Sequence, residues 1–183
     1  MNTTPVSLLQ RVCRDTDPNA WTEFVDLLLP LLWKWVGRLK LTEQDGADLI
    51  QDVFVVLLKE LPGFQYDPAR SFRAWLWTIL KRRATDQFRR VRPQSLDSES
   101  AVAILEVPLI EEAEYRELLL SRVLKLVQAE FSADMWQAFW EHCINGRPVA
   151  EVAAELGISP GTVYVAKGRV LKVARDRLEH LLD

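Results

Sequence analysis

The apolar residues of this 183-residue chain recur at three- and four-residue steps almost throughout, the period of helices with one buried side. No alternating run of useful length predicts a strand, and no segment repeats. A first helix is expected from about Trp21 to Lys40, broken or kinked near Pro30. Thr42 is a good N-cap for a second, with Asp45 in the capping-box position. The apolar row of that helix is Ile50, Val53, Phe54, Leu57, Leu58 and Leu61, and Pro62-Gly63 ends it. After a loop from Gln65 to Arg70, Phe72, Leu76, Leu80, Ala84 and Phe88 form one row at four-residue steps. Trp75 and Ile79 lie beside that row, on a third helix reaching about Arg90.

From Arg92 to Pro108 the pattern lapses into Ser, Pro and acidic residues, the composition of a linker. A helix is expected next from about Glu111 to Glu130. Ser132 then caps a short helix carrying Met135, Trp136, Phe139, Trp140 and Cys143, and Asn145-Gly146 forms a turn. Two further helices are expected, about Val149 to Leu156 and Pro160 to Leu181. The fold class is therefore all-α: two small helical domains, 1–92 and 111–183, joined by a linker at 93–110.

The last two helices form a helix-turn-helix pattern. Val149, Val152, Ala153 and Leu156 give the first an apolar face, and Gly157 supplies the left-handed turn residue that a steep crossing needs. Ile158 fills the corner, Ser159 caps the second helix and Pro160 takes its first position. Val163, Ala166 and Val170 continue inward. Thr162, Tyr164, Val165, Lys167, Arg169 and Lys172 are left on the outer side or its flanks, where such a helix meets the major groove. Thr162 and Tyr164 are placed for bases, Arg169 and Lys172 for phosphates.

The net charge of −3 hides a strong segregation. Residues 61–95 hold eight Lys or Arg against two Asp or Glu, whereas 96–141 hold three against ten. The basic block is an electrostatic footprint for nucleic acid. On its helix, Arg73, Trp77 and Lys81 fall off the core row at four-residue steps, with Arg82, Arg89 and Arg90 nearby. A ring among cations suits a single strand, whose bases stack while the backbone follows the charge. The bland alternative for Trp77 is packing against a neighbouring helix.

The remaining chemistry is sparse. Cys13 and Cys143 suggest free thiols, and His142 and His180 lack metal-ligand spacing. There is no glycine-rich phosphate loop and no plausible nucleophile triad, so neither catalytic residue, metal nor cofactor is expected. The N-terminus lacks an apolar signal-peptide core, and the richest apolar run, Leu27 to Val36, is too short to span a bilayer. A cytoplasmic protein without membrane insertion is expected.

Two blocks in this order resemble the extracytoplasmic-function (ECF) group of sigma factors in the sigma-70 family. The first is Asp48-Leu-Ile-Gln-Asp-Val-Phe54 with Phe72-Arg-Ala-Trp-Leu-Trp-Thr-Ile-Leu-Lys81 and Asp86-Gln-Phe-Arg-Arg90, which is similar to the family's second region. The second, Phe131 to Leu178, is similar to the fourth. The resemblance implies a non-enzymatic factor that binds core RNA polymerase and directs initiation at promoters. It implies that Asp48, Leu49, Gln51, Asp52 and Val55 dock on the clamp helices of the largest subunit, with the flap of the second-largest subunit as a further contact. The loop from Gly63 to Ser71, with Gln65 and Arg70, would capture a flipped base of the minus-10 element. Arg73, Trp77, Lys81, Arg82, Arg89 and Arg90 would follow the melted non-template strand or adjoining duplex. Ser159, Thr162, Tyr164, Val165, Lys167, Arg169 and Lys172 would meet the minus-35 element. An anti-sigma factor is a partner the resemblance leaves open. Lys81-Arg82 stands where Arg-Asn is common, and Tyr164-Val165 departs from the usual Lys and small polar residue.

Two other classes compete. A regulator with a sensing front half accounts for the helix-turn-helix but not for the basic helix or for Asp48 to Asp52. An all-helical enzyme would need a clustered catalytic set that the chain lacks.

Overall fold

The computed structural model describes residues 7–14, 18–64, 71–91 and 108–182, and their regular structure is entirely helical. In the first half α1 spans Leu8–Arg14, α2 Pro18–Arg38, α3 Glu43–Glu60 and α4 Phe72–Val91. In the second half α5 spans Glu112–Val127, α6 Ala133–Phe139, α7 Val149–Leu156 and α8 Pro160–Leu178. A π-type turn, Trp140–Ile144, prolongs α6. The expected linker lies almost wholly outside the described residues, as does the loop with Gln65 and Arg70.

Local chemistry sets the helix ends. The Thr42 hydroxyl accepts from the Asp45 amide at 3.1 Å and donates to the Asp45 carboxylate at 2.7 Å, opening α3. Gly157 closes α7 at φ 65°, and its amide bonds back to Ala153. Ser159 then caps α8 through the Thr162 amide at 3.1 Å, with Pro160 in the first turn.

The expected break at Pro30 does not occur: α2 is one continuous helix. Proline has no N–H to give the carbonyl four residues back, that of Asp26. Arg122, on α5, donates its Nε to that oxygen at 3.0 Å. A side chain from the other half thus replaces the missing backbone donor. Leu27, Leu28, Leu31 and Leu32, on either side of the proline, are all buried, so both turns of the helix pack into the core.

Buried residues of both halves belong to one contiguous apolar cluster. Helix α5 lies along α2, and α8 touches α1. Polar contacts line this seam. Glu114 pairs with Lys34 and, at 2.9 Å, with Arg38. Glu23 pairs with Arg11 at 3.1 Å and with Arg177 of α8. Gln10 meets His180 at 3.0 Å.

Helix α4 has two covered sides. Phe72, Leu76, Leu80 and Ala84 are fully buried, as the four-residue row predicts, and α3 packs along the helix. Trp77, expected on an exposed face, is only 6% exposed. Its ring meets Trp35 of α2 edge-on at 5.2 Å, with Lys81 Nζ lying 5.6 Å from it. Packing against a neighbouring helix therefore accounts for Trp77, because α2 covers the flank that α3 leaves open.

Helices α2 and α3 approach closely at Gly46. A Cβ there would stand 2.6 Å from Val36 Cγ1 and 3.3 Å from Trp33. Overpacking of this kind costs about 1–3 kcal/mol, more than the roughly 1 kcal/mol a helix gains from Gly to Ala. Valine's stiff side chain limits relief by rotation.

Two stability changes follow. Gly46→Ala should lower urea-unfolding stability by about 1 kcal/mol, the overpacking cost less the propensity gain; an unchanged midpoint would show that Val36 moves aside freely. Trp77→Ala should cost about 3–5 kcal/mol, as for other buried aromatic truncations, with loss of near-ultraviolet circular dichroism. A fully stable variant would place the indole outside the core.

Candidate nucleic-acid interface and polymerase-facing surface

The outer side of α3 is polar at one end and apolar at the other. Asp48, Gln51 and Asp52 are exposed, and Val55 follows them with 46% of its surface open. Leu49, grouped with these residues by motif, is fully buried and forms core instead. Helical geometry explains the difference: Leu49, Val53, Val56 and Leu57 share the inner arc, while 48, 51, 52 and 55 share the outer one. Leu58, assigned to the core row from its spacing, is 53% exposed and extends the outer surface beside Val55. Spacing alone could not separate the two, because Leu58 stands at the edge of the buried arc.

Arg83 of α4 faces Asp86 at 3.9 Å, and the five cations expected along the strand path divide into three groups. Arg82, Arg89 and Arg90 are exposed and make no ion pair among the described residues. Lys81 is half-buried above the Trp77 ring. Arg73, expected on the open face, is half-buried: its guanidinium donates to the Ile110 carbonyl at 2.8 Å and lies 5.7 Å from the Tyr115 ring centre. Its stripe points toward the start of the second half, a contact that no local pattern reveals. The aromatic partner for a strand cannot be Trp77 in this arrangement. Phe64 and Trp75, both half-buried, pack with ring centres 4.6 Å apart.

On α8 the inward residues Val163, Ala166 and Val170 are fully buried. Thr162, Tyr164, Val165, Lys167, Arg169 and Lys172 are all exposed, Tyr164 to 60%. Ser159 is also exposed, but its hydroxyl is engaged by the Thr162 amide and lies 2.9 Å from the Thr162 hydroxyl. The α7–α8 corner is braced from behind. Arg147 bridges Glu141 at 3.3 Å and Glu155 at 2.5 Å, tying the π-type turn to α7. The hydrogen bonds it donates to Glu155 and Glu141 favour the charged guanidinium and raise its pKa. The His142 ring meets Tyr164 edge-on at 6.1 Å and accompanies it on the face.

A shallow cleft of about 600 Å³ opens between α5 and α6, lined by Lys125, Gln128, Phe131, Ala133 and Trp136 among others. Trp140 and Ile144 are exposed nearby in sequence. Burial pushes the thiols of Cys13 and Cys143 upward, so both stay protonated and poorly nucleophilic. Among the described residues no helix is long and apolar enough to cross a membrane.

The sigma-70 region 2 family matches residues 24–93, covering α2 to α4. The RNA polymerase sigma factor CnrH of Cupriavidus metallidurans is 34% identical over 151 residues, 77% of this chain and 75% of that protein. The ECF RNA polymerase sigma factor SigL of Mycobacterium tuberculosis is 25% identical over 154 residues, 82% of this chain and 84% of that protein. The region 2 match over α4 and relatives that cover more than three quarters of the chain lead to one conclusion: this chain belongs to the sigma-70 family of RNA polymerase sigma factors, in its ECF group.

Proposed function

We propose that this sigma factor holds core polymerase through the outer side of α3, stabilises a melted minus-10 strand along α4, and reads minus-35 duplex with α8. Family membership makes it a factor for promoter-directed initiation that carries out no reaction of its own. The observation that carries the finer reading is spatial separation. The polar-apolar strip of α3, the Arg82–Arg90 cations and the α8 face are all exposed at once.

Docking on the clamp helices falls to Asp48, Gln51, Asp52 and Val55, with Leu58 adding apolar area. Leu49 supports that surface from beneath. The flap of the second-largest subunit is assigned to the cleft beside Phe131 and Trp136, where apolar surface lies open. An aromatic-lined recess with a polar rim is the usual anatomy of a docking site.

On DNA, the cations at Lys81, Arg82, Arg89 and Arg90 follow the phosphates of the non-template strand, and the Gln65–Arg70 loop takes a flipped base. Unstacking costs a few kcal/mol per base, so the strand stays open only where a fitting pocket and several phosphate contacts act together. Trp77 serves as the rigid floor under Lys81 and not as a stacking platform. On α8, Thr162, Tyr164 and Val165 meet base edges and thymine methyls, while Lys167, Arg169 and Lys172 neutralise phosphate. Ser159 positions this surface as the cap.

Two experiments test the assignment. The double substitution Gln51→Lys with Asp52→Lys should weaken core-polymerase binding by about 2 kcal/mol or more while circular dichroism is unchanged; undiminished co-purification would refute the docking surface. Arg82→Gln and Arg89→Gln should each slow open-complex formation and lower the salt dependence of strand binding by about 0.7 in log–log slope. An unaltered slope would remove α4 from the strand path.

A further inference from the structure

Gly168 stands in the middle of α8, where the fold makes no use of its being glycine. The helix runs without a break from Pro160 to Leu178, so the position serves no turn. A Cβ there would meet nothing within 4 Å, whereas one at Gly46 would strike Val36. Gly146 and Gly157 differ again, since each has a positive φ that favours glycine. Proline apart, glycine is the poorest helix former, so α8 is weaker for carrying it. Nothing among the described residues offsets that loss, and the compensation must come from outside the chain.

Helical phase shows where the bare position points. At 3.6 residues per turn, Gly168 lies about 200° around the helix from both Ala166 and Val170. Those two are fully buried, so Gly168 faces straight away from the core. Tyr164 stands one turn before it and Lys172 one turn after, both exposed. Lys167 and Arg169 are its chain neighbours, and their side chains leave the helix about 100° to either side. Both are exposed, and neither makes an ion pair among the described residues. Bare backbone thus forms the floor of a notch, with a ring at one end, an ammonium at the other and a cation on each flank.

We propose that Gly168 is a positioning residue for duplex DNA: one sugar–phosphate backbone rests on its Cα, straddled by Lys167 and Arg169, and this contact sets how deeply α8 seats. The proposal rests on reading α8 as the minus-35 surface and adds the depth at which that surface works. Absence of a side chain is what lets a protein backbone approach a ligand closely. A methyl group would hold the strand out by roughly one carbon–carbon bond, about 1.5 Å. Hydrogen bonds from Thr162 and Tyr164 to base edges do not survive a shift of that size. Lys167 and Arg169 are long enough to follow a displaced phosphate, so the loss falls on base readout more than on charge. Gly168 therefore acts through Thr162, Tyr164 and Val165, and its effect is on sequence discrimination.

The test sets fold stability against DNA binding, because the two should move in opposite directions. In the free full chain, Gly168→Ala should raise the thermal midpoint by about 2–4 °C, the gain in helix propensity. Binding is measured with holoenzyme reconstituted on core RNA polymerase. One probe is a duplex ending upstream of the melted segment, cut from a promoter whose start site the parent holoenzyme has mapped. The other is the same duplex with its sequence scrambled. Gly168→Ala should bind the mapped duplex about tenfold more weakly, the usual effect of one lost base contact, and the scrambled one within about twofold of the parent. Gly168→Leu should lose more than Gly168→Ala. Gly37→Ala, at an exposed helical glycine that also has open space around it, should leave both probes unaffected. Parent-level binding of the mapped duplex by Gly168→Ala would overturn the proposal, as would a midpoint that fails to rise. Equal losses for alanine and leucine would do the same, since they would mark helix pliancy and not close approach. Tyr164→Ala keeps the two readings apart. If it binds the mapped duplex like the parent, the α8 reading fails; if it weakens binding while Gly168→Ala does not, only the seating contact fails.

Discussion

The packing of α5 along α2 is the contact on which the arrangement turns, since it joins the two halves in one apolar cluster. Polar contacts follow the same two helices. Pro30 leaves the Asp26 carbonyl without its helical donor, and Arg122 from the second half supplies a hydrogen bond there. Glu114 reaches Lys34 and Arg38, and Tyr115 meets Arg73. Because α2 also covers Trp77 through Trp35, the same helix forms core for α4 and a platform for the second half.

Charge segregation gives that geometry its meaning. A chain of net −3 would be a poor DNA ligand if its charges were mixed evenly. Here the cations collect on α4 and α8 and the carboxylates on the residues around α5. Opposite blocks in one chain attract each other as readily as they attract outside partners. The contacts of Glu114 are the folded expression of that attraction, and they stay modest because water screens them.

Much of the interface was legible because its elements are local. The Thr42, Ser132 and Ser159 caps and the Gly157 turn follow from short-range hydrogen bonding and backbone sterics, and each stands where the residues imply. Asp48, Gln51, Asp52 and Val55 lie outside a 3.6-residue period and are exposed accordingly. Leu49 belongs to the docking motif, but its helical phase puts it inside. Leu58 shares the core spacing but faces out, since a residue at the edge of an apolar arc can face either way. The base-capturing loop at Gln65 and Arg70 falls outside the described residues.

What the sequence determined by itself was therefore the set of helices, their ends and their primary buried faces, together with the blocks of charge. Those depend on contacts within a few residues, which the order of amino acids states directly. Tertiary structure alone decided the second face of α4. Whether Trp77 and Arg73 meet solvent depends on Trp35, some forty residues earlier, and on Ile110 and Tyr115, nearly as far ahead. A helix period records that a residue lies off the main core; it carries no information about which distant surface comes to cover it. The donor that reaches the Asp26 carbonyl left open by Pro30 likewise comes from almost one hundred residues away.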